Sequence, residues 1–304
     1  MKIVFMGTPE FAVPSLKILA DNGYNIAAVV TQPDRPGGRG EKICFSPVKV
    51  FSISRNIRVL QYERIRTEGI DDIKNISPDL IVTAAYGQIL PQELIDIPKY
   101  GIVNVHASLL PKYRGAAPIQ WAVINGETET GVTIMKTRLA LDSGEILLQK
   151  KIGIGEKETA GELFVRIAEL GAEALLEGVK AIQDGTAVFY EQDEVAATYF
   201  STIKKEDARI SFEKSAKEIV NFVRGMSPNP GAFTYINGDR VKVFLAEVED
   251  IDVNDSKVGE IIVADAKRGL IIAVKGGAVR LREIQFPNGK RMTDTAYLTG
   301  HGLL

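Results

Sequence analysis

Residues 101–111 read Gly-Ile-Val-Asn-Val-His-Ala-Ser-Leu-Leu-Pro, an apolar run that ends among polar side chains. Such a run, bounded by a glycine and a proline, is typical of a strand inside a sheet. Because side chains alternate along a strand, Asn104, His106 and Ser108 should share one face. The stretch therefore predicts a strand whose carboxyl end carries hydrogen-bonding groups.

Similar apolar runs lie on both sides of this stretch, and helical patterns separate most of them. The further predicted strands are residues 2–6, 26–31, 80–84 and 131–135, and the predicted helices are residues 11–19, 91–95 and 163–179. The last helix follows a capping-box pattern formed by Thr159 and Glu162. Strands that alternate with helices in this way predict an α/β fold with a Rossmann-like, mostly parallel sheet.

The pattern changes after residue 189. Residues 190–207 are polar and lack a sustained period, which predicts a linker between a first domain, 1–189, and a second, 208–304. In the second domain Asn237-Gly238 separates two β-rich runs, which is a strong signal for a two-residue hairpin. Further short strands follow, so the sequence predicts a small C-terminal β-barrel, OB-like in type.

Length and composition bound the class of protein. A chain of 304 residues exceeds the length at which one core stops growing, and 45% hydrophobic with 25% charged residues is ordinary for a globular enzyme. The net charge of −2 indicates no basic nucleic-acid module, although it leaves a tRNA partner open. No apolar run is long enough for a signal peptide or a membrane span, so we expect a cytoplasmic protein without a membrane partner. We also expect a monomer.

Two further motifs argue against particular ligands. The single cysteine, Cys44, excludes an intramolecular disulfide and a Cys-rich metal site, and we expect no metal. Gly7 follows the first predicted strand but lacks the second and third glycines of a dinucleotide fingerprint, which argues against NAD. The turn at Gly7 is then either a plain strand-to-helix connection or part of a substrate crevice.

A lone histidine at the end of a strand is more often a packing group than a catalyst. Asn104 on the same predicted face raises the alternative that His106 belongs to an active site. Asp142, in the segment Leu141-Asp142-Ser143-Gly144, could supply a carboxylate, but Asp and Gly also favour such turns for local reasons. Sequence spacing does not place Asp142 beside His106.

The run Asn104-Val-His-Ala-Ser-Leu-Leu-Pro-Lys-Tyr-Arg-Gly-Ala-Ala-Pro-Ile-Gln120 resembles the formyltetrahydrofolate-dependent formyltransferases. Supporting segments are Gly7-Thr-Pro-Glu-Phe-Ala12, Thr31-Gln-Pro-Asp-Arg-Pro-Gly-Gly-Arg-Gly40, Ala85-Tyr-Gly-Gln-Ile-Leu-Pro91, Glu129-Thr-Gly-Val-Thr-Ile134 and Pro230-Gly-Ala-Phe233. The loop after residue 31 and the Pro-Gly-Ala-Phe segment are similar to the members that act on methionyl-tRNA. The chain departs from the family at Ala107, where glycine is common, and at Glu145, where aspartate is frequent.

This resemblance implies transfer of a formyl group from 10-formyltetrahydrofolate to the α-amino group of methionyl initiator tRNA, without a metal. It implies catalytic roles for Asn104, His106 and Asp142, in stabilising the oxyanion and in moving protons. The implied folate contacts are Ser108, Leu109, Leu110, Pro111, Tyr86, Gly87 and Leu90. The implied tRNA contacts are Arg35, Arg39 and Lys42, together with the C-terminal domain.

Other functions stay open at this point. A sugar-nucleotide formyltransferase, for example one acting on amino-arabinose, would share the catalytic domain, although the 32–40 loop argues against it. A non-catalytic folate- or RNA-binding module would bind the cofactor without turnover. A hydrolase would release formate without any amine acceptor.

Overall fold

The computed structural model describes residues 1–37, 42–253 and 255–303. The chain divides into two compact units. Unit 1 comprises Met1–Gly115, Thr130–Ile152 and Phe164–Tyr199, and unit 2 comprises Ala116–Glu129, Gly153–Leu163 and Phe200–Leu304. The domain limits expected from the sequence, 1–189 and 208–304, stay a prediction.

The structure defines the following elements. The strands are β1 (Lys2–Gly7), β2 (Asn25–Thr31), β3 (Arg35–Gly37), β4 (Lys42–Cys44), β5 (Val59–Gln61), β6 (Leu80–Ala84), β7 (Ile102–His106), β8 (Arg114–Gly115), β9 (Glu129–Lys136), β10 (Ile146–Gly153), β11 (Tyr199–Phe200), β12 (Ala232–Ile236), β13 (Asp239–Glu249), β14 (Ile261–Asp265), β15 (Gly269–Val274), β16 (Gly277–Gln285) and β17 (Met292–Thr293). The α-helices are α1 (Val13–Asp21), α2 (Pro47–Ser54), α3 (Ile65–Glu68), α4 (Ile70–Ile76), α5 (Gln92–Ile95), α6 (Pro118–Ile124), α7 (Ala160–Asp184), α8 (Ala216–Met226) and α9 (Asp294–Gly300). Short 3₁₀ helices lie at Glu10–Ala12, Glu194–Ala196 and Glu206–Ala208.

Among the described residues, the large sheet has the strand order β10-β9-β7-β6-β1-β2-β5. Strands β7, β6, β1, β2 and β5 run parallel, and β9 is antiparallel to β7. The expected mostly parallel sheet is therefore confirmed. Its central strands are almost wholly apolar because they are covered on both faces: residues 3–6 of β1 are 0% exposed.

The parallel strands end along one edge of the sheet, where Gly7, Ala84 and His106 follow one another. Crevices that bind ligands form outside the carboxyl ends of such strands. A side chain at residue 7 would not fit, since a Cβ there would lie 2.7 Å from the Cβ of Ala12 and 2.9 Å from the carbonyl oxygen of Ala84. The glycine thus lets β1 pack closely against its neighbours at this edge.

The capping box predicted before α7 is present. The backbone N–H of Thr159 donates to Oε2 of Glu162 at 2.8 Å, and the N–H of Glu162 donates to Oγ1 of Thr159 at 3.3 Å. Each residue satisfies a backbone donor that the first helical turn leaves without a partner.

Unit 2 contains an antiparallel sheet with the order β12-β13-β16-β15-β14. Asn237 and Gly238 connect β12 and β13 with φ values of 50° and 88°, as a two-residue hairpin requires. The hairpin and the antiparallel C-terminal sheet are confirmed, whereas closure into an OB-like barrel stays a prediction. Within residues 1–37, 42–253 and 255–303, no helix combines the length and the apolar character needed to cross a membrane.

Candidate active site

Asn104 lies on β7 beside Thr83 of β6, at paired positions in the parallel sheet. The Thr83 hydroxyl donates to Oδ1 of Asn104 at 2.9 Å. Because the amide oxygen is held by this hydrogen bond, the –NH₂ group is the end of Asn104 that can donate elsewhere. Thr83 is a residue that the sequence analysis missed, and its only signal was a hydroxyl within an apolar strand.

His106 is 6% exposed and ends β7. Its Nε2 lies 3.0 Å from the carbonyl oxygen of Tyr113. A carbonyl can only accept, so Nε2 carries the hydrogen and donates it. In the neutral ring Nδ1 is then the unprotonated nitrogen, because the bond made by one ring nitrogen fixes the state of the other.

Asp142 faces that unprotonated nitrogen. Its Oδ2 lies 3.8 Å from Nδ1 of His106, which is too long for a direct hydrogen bond but close enough to stabilise the ring by charge interaction once Nδ1 accepts a proton. Oδ2 also accepts the backbone N–H of Gly115 at 2.8 Å. The structure therefore brings together His106 and Asp142, whose proximity the sequence could not give.

The segment between His106 and Gly115 is held from both sides. Tyr113 has φ 62°, in the left-handed region, and this directs its carbonyl oxygen to His106. Its own N–H donates to Oγ1 of Thr198 at 2.8 Å. Tyr113 and Gly115 each contribute backbone groups, so residue type gave no signal for either position.

Thr133 on β9 fixes the turn at residues 108–111, which the sequence predicts as a folate contact. Its hydroxyl donates to the carbonyl oxygen of Ser108 at 2.7 Å and accepts the N–H of Leu110 at 3.1 Å. Gln149 adds a bond from Nε2 to the carbonyl oxygen of Leu110 at 2.8 Å. Neither Thr133 nor Gln149 was anticipated as a support of this turn.

The side chains of the 108–111 turn differ in burial. Ser108 is 0% exposed, and its hydroxyl donates to the carbonyl oxygen of Lys112 at 2.7 Å. Leu110 is buried and packs in a small apolar cluster with β9 and β10. Leu109 and Pro111 are half-buried. A ligand at this turn would therefore meet Leu109, Pro111 and backbone groups more readily than the Leu110 side chain.

The other expected folate segment, residues 86–90, follows β6. The side chains of Tyr86 and Leu90 are buried in the apolar core of unit 1. Burial raises the pKa of the Tyr86 hydroxyl above its usual range. Gly87 has φ 89°, a conformation that favours glycine. The segment thus offers backbone groups, as expected, while its two large side chains serve packing.

Thr8 and Gln32 connect the 86–90 segment to neighbouring strand ends. Both donate to the carbonyl oxygen of Tyr86, Thr8 through Oγ1 at 3.0 Å and Gln32 through Nε2 at 3.1 Å. The turn at Gly7 is therefore part of the same carboxyl edge, next to the expected cofactor segment.

At the two ends of the loop expected to contact tRNA, β3 and β4 pair as antiparallel strands. Arg35 lies on β3, is exposed and makes an ion pair with Glu63 at 3.1 Å. The Lys42 backbone lies on β4, opposite Gly37. Arg39 lies outside the described residues. Within the described part of the chain, no group of three or more His, Cys, Asp or Glu residues is arranged to hold a metal ion.

Comparison with known proteins identifies the family. A formyl transferase model matches residues 1–179, and a formyl transferase C-terminal domain model matches residues 202–302. The chain is 50% identical over 302 residues to the methionyl-tRNA formyltransferase of Acetivibrio thermocellus, which covers 99% of this chain and 97% of that protein. The chain belongs to the methionyl-tRNA formyltransferase family. A second member, from Clostridioides difficile, is 46% identical over 99% of this chain and 97% of its own length.

Solved structures agree with this methionyl-tRNA formyltransferase assignment at the level of the fold. A sugar 3N-formyl transferase, WlaRD, has a TM-score of 0.70 at 22% identity, and the match covers 95% of this chain and 99% of that one. HypX from Aquifex aeolicus, in complex with tetrahydrofolic acid, has a TM-score of 0.64 at 18% identity over 98% of this chain and 47% of its own. The family resemblance given by the sequence is confirmed.

Proposed function

We propose that the protein transfers the formyl group of 10-formyltetrahydrofolate to the α-amino group of methionyl initiator tRNA. Relatives that are 42–50% identical to this chain carry the name methionyl-tRNA formyltransferase. HypX, which has a related fold, was solved in complex with tetrahydrofolic acid. The observation that carries the proposal is the geometry of His106, whose Nδ1 faces the Asp142 carboxylate at 3.8 Å. It provides an acid–base pair at the sheet edge where acceptor and cofactor would meet.

The reaction is an acyl transfer. The lone pair of the neutral α-amino group bonds to the formyl carbon, and the carbonyl electron pair moves to the oxygen. The resulting tetrahedral centre carries negative charge on that oxygen, and a fixed donor lowers its energy. Asn104 fits this role because Thr83 holds its oxygen and leaves its –NH₂ group to donate.

The attacking nitrogen must also lose a proton. Nδ1 of His106 accepts it and then gives it to N10 of the folate as the C–N10 bond breaks. The Asp142 carboxylate stabilises the imidazolium that exists between the two transfers. An alternative route, in which Asp142 accepts the ammonium proton directly or through water, uses the same carboxylate.

Other residues keep the roles implied by the family. Residues 108–111 and 86–90 would hold the folate, chiefly through backbone groups, because Tyr86, Leu90 and Leu110 are buried. Arg35, Arg39 and Lys42 would contact the acceptor end of the tRNA, and the C-terminal domain would bind the rest. We also propose a monomer.

The direct experiment offers the protein 10-formyltetrahydrofolate with methionyl initiator tRNA, with an amino-sugar nucleotide, or with no acceptor. We expect formylmethionyl-tRNA, measured on acid gels or by mass spectrometry. Exclusive formylation of the amino-sugar nucleotide would replace the proposal with a sugar formyltransferase. Formate release without an acceptor would indicate a hydrolase, and binding without turnover a non-catalytic module.

Variants of the site residues test the mechanism. Asn104→Ala and His106→Ala should each lower turnover by about 10²- to 10³-fold, the size of losing one oxyanion donor or an acid–base group. His301→Ala is the matched control, because His301 is the only other histidine and is exposed. Turnover by either site variant at the wild-type rate would remove that residue from the mechanism.

A further inference from the structure

Arg114 lies in sequence between the two residues whose backbone groups contact His106 and Asp142, and its side chain is fully buried. Its neighbour Tyr113 accepts from His106, and its other neighbour Gly115 donates to Asp142. The guanidinium is 0% exposed and pairs with Glu194, at 2.6 Å from Nη2. A buried charge requires hydrogen-bonding partners, and Glu194 is one of several that Arg114 has, since Nη1 also donates to the Tyr199 hydroxyl at 2.6 Å.

Gln192 is another partner of Arg114. It is 8% exposed and lies in the segment that the sequence predicts as a linker. Its Oε1 accepts from Nε of Arg114 at 3.1 Å and from Nη2 at 2.8 Å. The oxygen end of the amide is therefore directed to the guanidinium.

The nitrogen end of Gln192 is directed to the loop that carries the carboxylate. Nε2 donates to the carbonyl oxygen of Asp142 at 2.8 Å and to that of Gly144 at 2.7 Å. Two donors and two accepting positions exhaust the hydrogen-bonding capacity of a glutamine amide. One buried side chain thus connects the Arg114 segment to the backbone on both sides of Ser143.

The Asp142 loop needs such a connection. Asp142 has φ 46°, in the left-handed region, which costs free energy for a residue with a side chain. Gly144 lies so close to β9 that a Cβ there would be 1.7 Å from the carbonyl oxygen of Lys136. A strained loop of this kind keeps its shape only when the surrounding contacts hold it.

We propose that Gln192 is a positioning residue, which holds the Asp142 loop so that the carboxylate faces Nδ1 of His106. The expected effect on turnover rests on the proposed function. The claim that Gln192 holds the Asp142 loop does not depend on it. Gln192 touches neither substrate nor cofactor in this scheme and acts through Asp142 alone.

Gln192→Glu separates the two ends of the side chain. The carboxylate keeps the shape and still accepts from Arg114, but it has no hydrogen to donate to Asp142 and Gly144. Two carbonyl oxygens then face a negative oxygen, so the loop should move. We expect turnover to fall about 10- to 100-fold, the size of a misplacement near 1 Å, with KM for 10-formyltetrahydrofolate within about threefold of wild type.

A double-mutant cycle distinguishes positioning from general weakening of the fold. If Gln192 acts through the Asp142 charge, Gln192→Glu should change turnover by less than about twofold in an Asp142→Asn background. The same fold-loss in both backgrounds would overturn the proposal. Wild-type turnover by Gln192→Glu alone would overturn it as well.

Glu194→Gln is the matched control. Glu194 binds the same guanidinium from the same segment, but its side chain is exposed and its carboxylate oxygens accept from Nη1 and Nη2 of Arg114, not from the Asp142 loop. The substitution changes one charge in the opposite direction and leaves the Asp142 loop bonds in place. We expect turnover within about twofold of wild type, and a loss equal to that of Gln192→Glu would contradict the specific role of Gln192.

Hydrogen exchange gives a readout that does not depend on the reaction. Backbone amides of residues 140–146 should exchange faster in Gln192→Glu than in wild type or Glu194→Gln. If Gln192→Glu folds poorly, Gln192→Met removes the same donors without adding charge. Unchanged exchange in folded variants would refute the positioning role of Gln192, whatever the formyl acceptor is. Discovery of another formyl acceptor would refute only the proposed function.

Discussion

Replacement of Asp142 by asparagine tests the charge of the site with little change in shape. An asparagine oxygen can still accept the Gly115 N–H, which now lies 2.8 Å from the carboxylate. Asparagine also adopts the left-handed conformation of residue 142 readily, so we expect no new backbone strain. Stability should therefore stay near wild type while the negative charge is lost.

The expected loss follows from the distance of 3.8 Å between Oδ2 of Asp142 and Nδ1 of His106. At an effective dielectric constant of about 20, two unit charges at this separation interact by about 4 kcal/mol. The Asp142 side chain is 16% exposed, and water near it weakens the interaction. Doubling the dielectric constant gives about 2 kcal/mol, so the transition state should lose about 2–4 kcal/mol.

These energies correspond to a fall in turnover of about 30- to 1000-fold. Single-turnover formylation at saturating 10-formyltetrahydrofolate measures the loss in the chemical step, and titration with the cofactor measures binding separately. We expect cofactor affinity within about threefold of wild type. A fall in turnover below about threefold would show that the charge does not stabilise an imidazolium, and loss of cofactor binding alone would make Asp142 a pocket residue.

Three further changes test other parts of the structure. Thr83→Val removes the hydroxyl that orients the Asn104 amide, so turnover should fall about fivefold, the equivalent of one hydrogen bond, and the effect should vanish in an Asn104→Ala background. Gly144→Ala places a Cβ 1.7 Å from the Lys136 carbonyl oxygen, so urea unfolding should show a loss of about 1–3 kcal/mol, and an unchanged midpoint would contradict the close packing. Hydrogen bonds at the start of α8 lower the pKa of Glu218 from 4.5 to about 2, so its stabilising contribution is present above pH 4.5 and is lost as the pH falls toward 2. Glu218→Gln should flatten the dependence of unfolding free energy on pH in that window.

The parallel sheet could be predicted because burial on two faces leaves a simple pattern. Strand β6 spans Leu80–Ala84, as its apolar run indicates, and β1 extends one residue beyond the predicted end. The hairpin at Asn237 was equally predictable, since few residues adopt its positive φ values. These features depend on residues close together in sequence, so they can be predicted from local sequence patterns.

The site could be predicted only in part. Alternation along β7 predicted that Asn104 and His106 share one face of the strand, and the family resemblance implied a catalytic role for Asp142. The orientation of the imidazole could not follow from either, because it depends on the backbone carbonyl of Tyr113. The position of a backbone carbonyl cannot be inferred from residue type. A positive φ at a residue other than glycine, as at Tyr113, is also difficult to predict from the sequence.

Gln192 shows what polarity alone could not indicate about the segment after residue 189, namely that one of its polar side chains is buried. A buried amide costs free energy unless its donors and acceptors are satisfied, and pattern reading therefore assigns polar residues to the surface. Here every polar group of the side chain has a partner on Arg114, Asp142 or Gly144. Those partners are distant in sequence, so the hydrogen bonds that offset the cost of burying the amide cannot be predicted from the residues around position 192. The position of the carboxylate then depends on a residue that the sequence alone would have assigned to a connection.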